Sequence, residues 1–325
     1  MTKGAFTGGL LAVALGLVAG TAMPGDAAAQ TGTWSTKAPM PTARVDTAAA
    51  VVDGKMYVIG GTLGKEPFTA NEQYDPATDR WRARAPMPRG IHHQGLAVVD
   101  GKIYAFGGFT LPAHGGPVDV ALVYDPKADS WRTLPNLSSP RASPSAVALD
   151  GKIHVIGGRG PDAVTVPTHE VFDPATEQWS RLAPLPKGRD HAGLIVVDGK
   201  IHAIGGRLLG PDTNQSFHDV YDPATDTWTP AAPLPTARSS FGLAEYHGML
   251  LVVGGENQIM GPAGAYKENE GYDIKTGRWV KLAPLPGGRH AMGAAAIGTA
   301  AYFAGGGTTR GPLAGTNELL VFTLP

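Results

Sequence analysis

The sequence predicts an all-β protein folded as a six-bladed β-propeller with four antiparallel strands per blade. Six glycine pairs and six tryptophans recur with a period of about fifty residues. Glycine (45 residues) and proline (28 residues) are abundant in the 325-residue chain, and turn sequences separate its short apolar runs. The repeats lack the 3.6-residue periodicity of amphipathic helices, so the units are built from strands.

The glycine pairs and the tryptophans keep a constant distance from each other. Each tryptophan is followed 26 residues later by the first glycine of a pair, whereas the spacing from a pair to the next aromatic residue varies from 14 to 18. The length variation therefore falls in one loop of each unit. The pairs begin at Gly60, Gly107, Gly157, Gly205, Gly254 and Gly305, and the tryptophans are Trp34, Trp81, Trp131, Trp179, Trp228 and Trp279.

The first unit shows how four strands fit into one repeat. Asp53-Gly54 separates an apolar run from the alternating run 56–59, and both residues of such a hairpin turn require positive φ. The third strand carries Tyr74, and the turn 75–79 begins with Asp-Pro, in which proline fixes φ and aspartate accepts from nearby amides. A tryptophan on the fourth strand completes the unit.

The two ends of the chain predict how the ring closes. Trp34 precedes the first complete unit, while the last unit contains three strands and ends without a tryptophan. We therefore expect the N-terminal strand to complete the sixth blade, which removes the open edge of the ring.

The Gly-Gly, Tyr-Asp-Pro and Trp residues at this spacing resemble the kelch repeat, from residue 32 to residue 325. The resemblance implies that the glycine pair ends the second strand and that the tyrosine and tryptophan pack between blades. More distantly, the chain resembles the kelch-type sialic acid mutarotases of the bacterial periplasm and the central domain of galactose oxidase. Galactose oxidase chemistry needs a tyrosine crosslinked to cysteine beside copper, and this chain has no cysteine. A copper oxidase of that kind is excluded.

The N-terminal residues predict export. Lys3 precedes an apolar run over residues 10–19, and three alanines end at Ala29, which is typical of a signal peptide. We expect cleavage after Ala29, so that residues 1–29 form the signal peptide and residues 30–325 a single propeller domain in the periplasm or outside the cell. The apolar run is too short and too rich in glycine for stable membrane insertion. Without cysteine, the exported domain depends on packing and ring closure for its stability.

Charge constrains the partners. The formal net charge is −1, so no global field attracts nucleic acid, and recognition of charged groups has to be local. We expect a monomer that binds an anionic small molecule, a glycan or an acidic protein segment.

Five arginines share one position in the repeat, ten residues before the glycine of the hairpin turn or its equivalent. Blade two has Ile91 there instead. In a four-stranded meander, the loops after the glycine pairs and the loops between blades lie on one face, which we call the top face. The arginines are expected to ring the mouth of the central channel there and to bind carboxylate, phosphate or sulfate. The alternative is a scaffold role, with each guanidinium paired to a neighbouring carboxylate. These arginines are Arg44, Arg141, Arg189, Arg238 and Arg289.

Further candidates lie beside the arginines or directly after the glycine pairs. A histidine cluster at a channel mouth could bind metal or act as a general base, but its spacing does not define a metal site, so we expect no metal and no cofactor. Glu256 and His191 are the candidate proton-transfer residues. The additional ligand-binding candidates are His92, His93, His290, Arg159 and Arg207.

Three functions are consistent with these residues. The first is a noncatalytic exported module that binds an anionic carbohydrate or an acidic peptide. The second is a periplasmic carbohydrate-active enzyme, a sugar acid mutarotase, in which Arg189 or Arg238 would hold the carboxylate. The third is a scaffold for protein association, which predicts exposed apolar loop tips such as Leu208-Leu209 and Ile259-Met260 on one side.

Overall fold

The computed structural model describes residues 1–2, 32–64, 66–112, 114–210, 213–257, 259 and 262–325. Apart from its first two residues, the predicted signal peptide lies outside the described residues, as does its cleavage site. None of the described segments forms a helix with the length and hydropathy needed to cross a bilayer.

Six four-stranded antiparallel sheets form the blades of a propeller, as predicted. Their strands have the following bounds. Blade one contains β2 (Ala48–Val52), β3 (Lys55–Ile59), β4 (Asn71–Asp75) and β5 (Arg80–Ala83). Blade two contains β6 (Gly95–Val99), β7 (Lys102–Phe106), β10 (Ala121–Asp125) and β11 (Ser130–Leu134), with the hairpin β8 (Phe109–Leu111) and β9 (Gly115–Pro117) between β7 and β10. Blade three contains β12 (Ser145–Leu149), β13 (Lys152–Ile156), β14 (His169–Asp173) and β15 (Gln178–Arg181).

Blades four to six continue the pattern. Blade four contains β16 (Gly193–Val197), β17 (Lys200–Ile204), β18 (His218–Asp222) and β19 (Thr227–Pro230). Blade five contains β20 (Gly242–Tyr246), β21 (Met249–Val253), β22 (Asn269–Asp273) and β23 (Arg278–Lys281). Blade six contains β24 (Gly293–Ile297), β25 (Ala300–Ala304), β26 (Leu319–Thr323) and β1 (Thr33–Lys37). Short 3-10 helices span Pro262–Gly264 and Pro312–Ala314.

The N-terminal strand closes the ring, as the sequence predicts. Strand β1 pairs antiparallel with β26, and Trp34 lies opposite Phe322. The Trp34 indole Nε1 donates to the carbonyl oxygen of Ala283 in blade five, at 2.8 Å. The other five tryptophans make the same contact with the preceding blade, at 2.7–2.9 Å. The tryptophans are therefore structural links between blades.

The glycine pairs bring neighbouring blades into backbone contact. The second glycine of each pair donates its N–H to the carbonyl oxygen of the arginine-position residue in the next blade, as Gly61 does to Ile91 at 3.0 Å. A Cβ on the first glycine of any pair would lie 2.1–2.8 Å from that same oxygen. Both glycines also have positive φ, 65° and 99° in the pair at Gly60. No other residue fits this junction without displacing the backbone.

Buried histidine pairs occupy blades three and four. His154 Nδ1 lies 2.8 Å from His169 Nε2, and His169 Nδ1 donates to the carbonyl oxygen of Ala183. This second bond fixes the tautomers, so that His154 donates and His169 accepts. His202 and His218 repeat the arrangement at 2.8 Å. Burial, the largest cause, lowers the pKa of His154, His169 and His218 to about 4 and also lowers the pKa of His202.

These pairs make stability depend on pH. An unfolded histidine has a pKa near 6.5, so the unfolded chain binds more protons than the folded chain between about pH 6.5 and about pH 4. The contribution is complete above about pH 6.5 and is lost as the pH falls towards about 4. Blade five carries Leu251 and Asn269 at the equivalent positions, where Asn269 Nδ2 donates to the carbonyl oxygen of Ala283 at 3.2 Å. The leucine and asparagine of blade five do not titrate in this pH range, so they are suitable replacements for the histidine pairs of blades three and four.

We expect the quadruple variant His154→Leu, His169→Asn, His202→Leu, His218→Asn to lose less stability than the wild type between about pH 7 and about pH 5. The difference should be on the order of 2 kcal/mol for each replaced histidine whose pKa in the folded protein is about 4. Urea unfolding followed by circular dichroism at both pH values measures it. An equal loss in the two proteins would show that the pairs do not carry the pH dependence.

Candidate functional site

The five arginines of the predicted ring are buried within their own blades, with exposed fractions of 0–4%. Arg238 shows the arrangement: its guanidinium donates to Glu270 on the third strand at 2.6 Å and to the carbonyl oxygen of Val252 on the second strand at 2.8 Å. The Arg238 Cδ would lie 3.0 Å from a Cβ on Gly255, so the glycine leaves room for the arginine stem. The ion pairs are Arg44–Glu72, Arg141–Glu170, Arg189–Asp219, Arg238–Glu270 and Arg289–Glu318.

This arrangement corrects the expected position of the arginine ring. The side chains turn back into the blade instead of towards the channel, because each guanidinium pairs with a carboxylate on or directly before the third strand of its own blade. Arg44, Arg189 and Arg238 also donate to a carbonyl oxygen of the second strand. Of the two roles that the sequence left open for these five arginines, the geometry supports the scaffold role. Arg189 and Arg238 are likewise removed as holders of a sugar carboxylate.

Blade two replaces both members of the ion pair. Ile91 takes the arginine position, and Leu122 takes the position of Glu72 and Glu270. Both are buried, with exposed fractions of 1% and 3%, in one apolar cluster. A buried ion pair and an apolar pair of similar volume can contribute similarly to stability, whereas one buried charge without its partner is costly. The isoleucine and leucine of blade two therefore provide an apolar replacement for the ion pair of another blade.

We expect Arg238→Ile alone to destabilise the protein by about 3–5 kcal/mol, because Glu270 is left buried without its cation. The double variant Arg238→Ile, Glu270→Leu should recover most of that loss. Urea midpoints of the wild type and both variants test this. A double variant as unstable as the single one would show that the apolar pair of blade two cannot substitute for the ion pair of blade five.

The channel is instead ringed by the residues two positions after each arginine position. Their backbones form a closed cycle in which each N–H donates to the carbonyl oxygen of the corresponding residue in the preceding blade, at 2.5–3.4 Å. All six have positive φ, from 50° to 59°. We call this cycle the belt. It consists of Asp46, His93, Ser143, His191, Ser240 and Ala291, and it helps to line a cavity of about 210 Å³ in the channel.

Asp46 and two histidines form a network on one side of the belt. His93 Nε2 lies 3.1 Å from Asp46 Oδ1, and His93 Nδ1 lies 2.6 Å from His92 Nδ1. His92 Nε2 donates to the carbonyl oxygen of Leu111, so His92 Nδ1 has a free lone pair that accepts from His93. The charges of His93, His290 and His92 outweigh the burial of Asp46 and hold the pKa of that carboxyl well below its usual range.

A second network connects blades four and five. Arg207 Nη1 donates to Glu256 at 2.8 Å, Arg207 Nη2 lies 3.1 Å from His191 Nε2, and Arg207 Nε donates to Asp190 at 3.3 Å. His191 Nδ1 lies 3.1 Å from the same Asp190 oxygen. Burial lowers the pKa of His191 to about 4, so its imidazole is neutral at neutral pH. Both candidate proton-transfer residues, Glu256 and His191, therefore contact one arginine.

A third histidine, His114, contacts the rings of His93 and His191. It lies at the tip of the β8–β9 hairpin with φ 61°, and its ring centroid is 4.9 Å from that of His93 and 5.9 Å from that of His191. Among the described residues it has ring contacts but no hydrogen bond. Burial, followed by the charges of His93 and His191, lowers the pKa of His114 to about 2.

Arg159 and His290 occupy different environments. The Arg159 side chain is partly buried on the top face, and among the described residues it makes no hydrogen bond or ion pair. It is close enough to Asp190 to help lower the pKa of that carboxyl. His290 is buried and donates from Nε2 to the carbonyl oxygen of Thr309 at 2.7 Å, so it holds a loop of its own blade.

The top face has a cleft and an apolar rim. The cleft has a volume of about 320 Å³ and is lined by Asp46, Thr62, Gly64, His92, Pro112, His114 and Pro312. Among the described residues, the loop after each glycine pair carries one exposed large apolar residue, and the six are Leu63, Leu111, Val164, Leu209, Ile259 and Leu313. Leu209 and Ile259 are exposed as the association hypothesis expects, Leu208 is partly buried, and Met260 lies outside the described residues.

The sequence reasoning missed Asp46 and His114 as site residues. The belt could have been found from its regular position in the repeat, since aspartate and histidine are enriched among residues that adopt positive φ. His114 lies in a loop of variable length, and its position over the channel follows from the hairpin, for which the repeat pattern contains no signal.

The fold and the repeat together define a kelch-type six-bladed β-propeller. The KLHDC2/KLHL20/DRC7 Kelch-repeats domain matches residues 28–158, and Kelch motif models match residues 140–186 and 188–235. The chain belongs to the kelch-repeat β-propeller family. The solved structure of YjhT is similar, with a TM-score of 0.76 and 20% identity over 89% of this chain and 97% of that chain, and this likeness concerns the fold. A search of curated proteins found no significant match.

Proposed function

We propose that the chain is an exported binding module whose top face binds a small anionic carbohydrate. The proposal rests on the environment of the Arg159 side chain. The other six arginines that the sequence nominated are buried with carboxylate partners, whereas Arg159 is partly buried and has no such partner among the described residues. A guanidinium of this kind is suited to a ligand carboxylate.

Two further features support a small ligand. The cleft of about 320 Å³ lies at the lower end of the range for small-molecule sites. Its lining combines prolines, which can pack against the apolar face of a sugar ring, with Asp46 and Thr62, which can exchange hydrogen bonds with hydroxyl groups. An acidic peptide is the competing ligand, and it would extend over the apolar rim.

We expect sialic acid and glucuronic acid to raise the melting temperature of the mature chain more than N-acetylglucosamine and glucose do. Arg159→Ala should remove the advantage of the acids and leave the unliganded melting temperature nearly unchanged, since the Arg159 side chain makes no hydrogen bond or ion pair with the residues that the structure describes. The control is Arg132→Ala, which removes an exposed arginine paired with Glu177. Acids and neutral sugars that stabilise the wild type equally would contradict the anionic preference. No shift with any sugar would contradict carbohydrate binding.

A sugar acid mutarotase is the second candidate, and one contact favours it. Arg207 lies within hydrogen-bond reach of both Glu256 and His191, which combines a cation with two groups capable of proton transfer. Mutarotation requires a base to take the proton of the anomeric hydroxyl and an acid to protonate the ring oxygen as the ring opens. A neutral His191 can act as the base, and Glu256 can take the other role only when protonated.

We expect Glu256→Gln to slow any catalysed exchange between the anomers of a sugar acid by about 100-fold or more, because the amide cannot transfer a proton. Saturation-transfer NMR on freshly dissolved anomer measures the exchange, and Glu245→Gln on the exposed side of β20 is the control. A wild-type rate equal to that of buffer alone would exclude the enzymatic candidate and leave the binding module unaffected.

A further inference from the structure

We propose that His93, His114 and His191 bind a divalent transition metal ion of the zinc type at the top of the channel. One ring nitrogen from each of the three histidines lies within 4.8 Å of the others. The three residues come from distant parts of the chain, because His93 and His191 belong to the belt and His114 comes from the β8–β9 hairpin. The proposal does not depend on the carbohydrate ligand.

The His114 imidazole is surrounded by other aromatic rings. It is pressed against two other imidazoles and Phe109, without a hydrogen bond among the described residues. Three imidazoles in contact gain little from one another, whereas a shared cation would satisfy a lone pair on each ring.

Carboxylates support two of the three rings from behind. Asp46 lies 3.1 Å from His93 Nε2, and Asp190 lies 3.1 Å from His191 Nδ1. A carboxylate on the far nitrogen fixes the orientation of a ligating histidine and increases its basicity. The other nitrogen of each ring is then the one that can face an ion. For His93 this is Nδ1, which must give up its proton and its hydrogen bond to His92 Nδ1 when an ion binds.

The local charges permit a cation. Asp46, Asp190 and Glu256 supply three carboxylates, against the guanidiniums of Arg207 and Arg159. Arg207 donates to His191 Nε2 and competes with a metal for that lone pair. Since Arg207 also donates to Glu256 and Asp190, it keeps two carboxylate partners when an ion takes its place on His191.

The ligand set selects the kind of ion. Three imidazole nitrogens suit zinc, nickel, copper and cobalt, whereas magnesium and calcium prefer oxygen ligands. Nitrogens about 2.1 Å from one tetrahedral ion would be roughly 3.4 Å apart, so binding has to draw the three rings together. His114 can move with its short hairpin, while the belt holds the other two rings.

The test uses the mature chain with its affinity tag removed and with bound metal stripped by chelator. Isothermal titration with zinc should show one site, and zinc or nickel should raise the melting temperature while magnesium does not. His114→Ala should weaken zinc binding about 100-fold or more, with an unliganded melting temperature like that of the wild type. The matched control is His247→Ala, in the turn between β20 and β21, which should bind zinc as the wild type does.

A second measurement addresses the ligands directly. Cobalt added to the stripped wild type should give the visible absorption bands of a site with nitrogen ligands, and His114→Ala should lose them. Zinc affinity that is equal in the wild type and His114→Ala would overturn the proposal. A wild type that binds zinc no better than magnesium would also overturn it.

Discussion

The close approach between each glycine pair and the next blade is the constraint on which the ring depends. The second glycine donates its N–H to a carbonyl oxygen across the junction, and the first lies so near that oxygen that a side chain cannot fit. In blades one, five and six the second glycine also leaves room for the buried stem of that blade's arginine. In blade five the head group of this arginine donates to a strand-two carbonyl and a strand-three carboxylate. Backbone contact between blades and ion pairing within a blade are thus two consequences of one pair of glycines.

The belt follows from this junction two residues later. Once the arginine-position carbonyl is bonded to the preceding blade, the chain turns through a residue with positive φ before the innermost strand begins. That turn directs six side chains towards the channel mouth at a fixed height. The contacts that close the belt are made entirely by backbone atoms, so any residue that tolerates this conformation can occupy it.

Particular residues show how far the sequence could predict this structure. The number of blades, the closure by Trp34 and the hairpin turns such as Asp53-Gly54 follow from local rules of spacing and turn chemistry, and the structure confirms them. The direction of the Arg238 side chain could not be predicted in the same way, because it depends on Glu270, which lies 32 residues further along the chain. The position of His114 was even harder to predict from the sequence. It depends on a hairpin that, among the described residues, only blade two contains.

Stability and function depend on different positions that lie two residues apart in the repeat. The arginine position stabilises the blade, whereas the side chain at the belt position is free to serve function. Five of the six arginine positions hold the same residue, and the exception replaces both members of its ion pair, as expected where burial and pairing decide which residues fit. The belt holds two histidines, two serines, an aspartate and an alanine at equivalent backbone positions. Since the fold requires only their backbone, the chemistry of these side chains can change without loss of the ring. The concentration of imidazole and carboxylate groups on one part of the belt is therefore better explained by what the channel mouth binds than by what the fold requires.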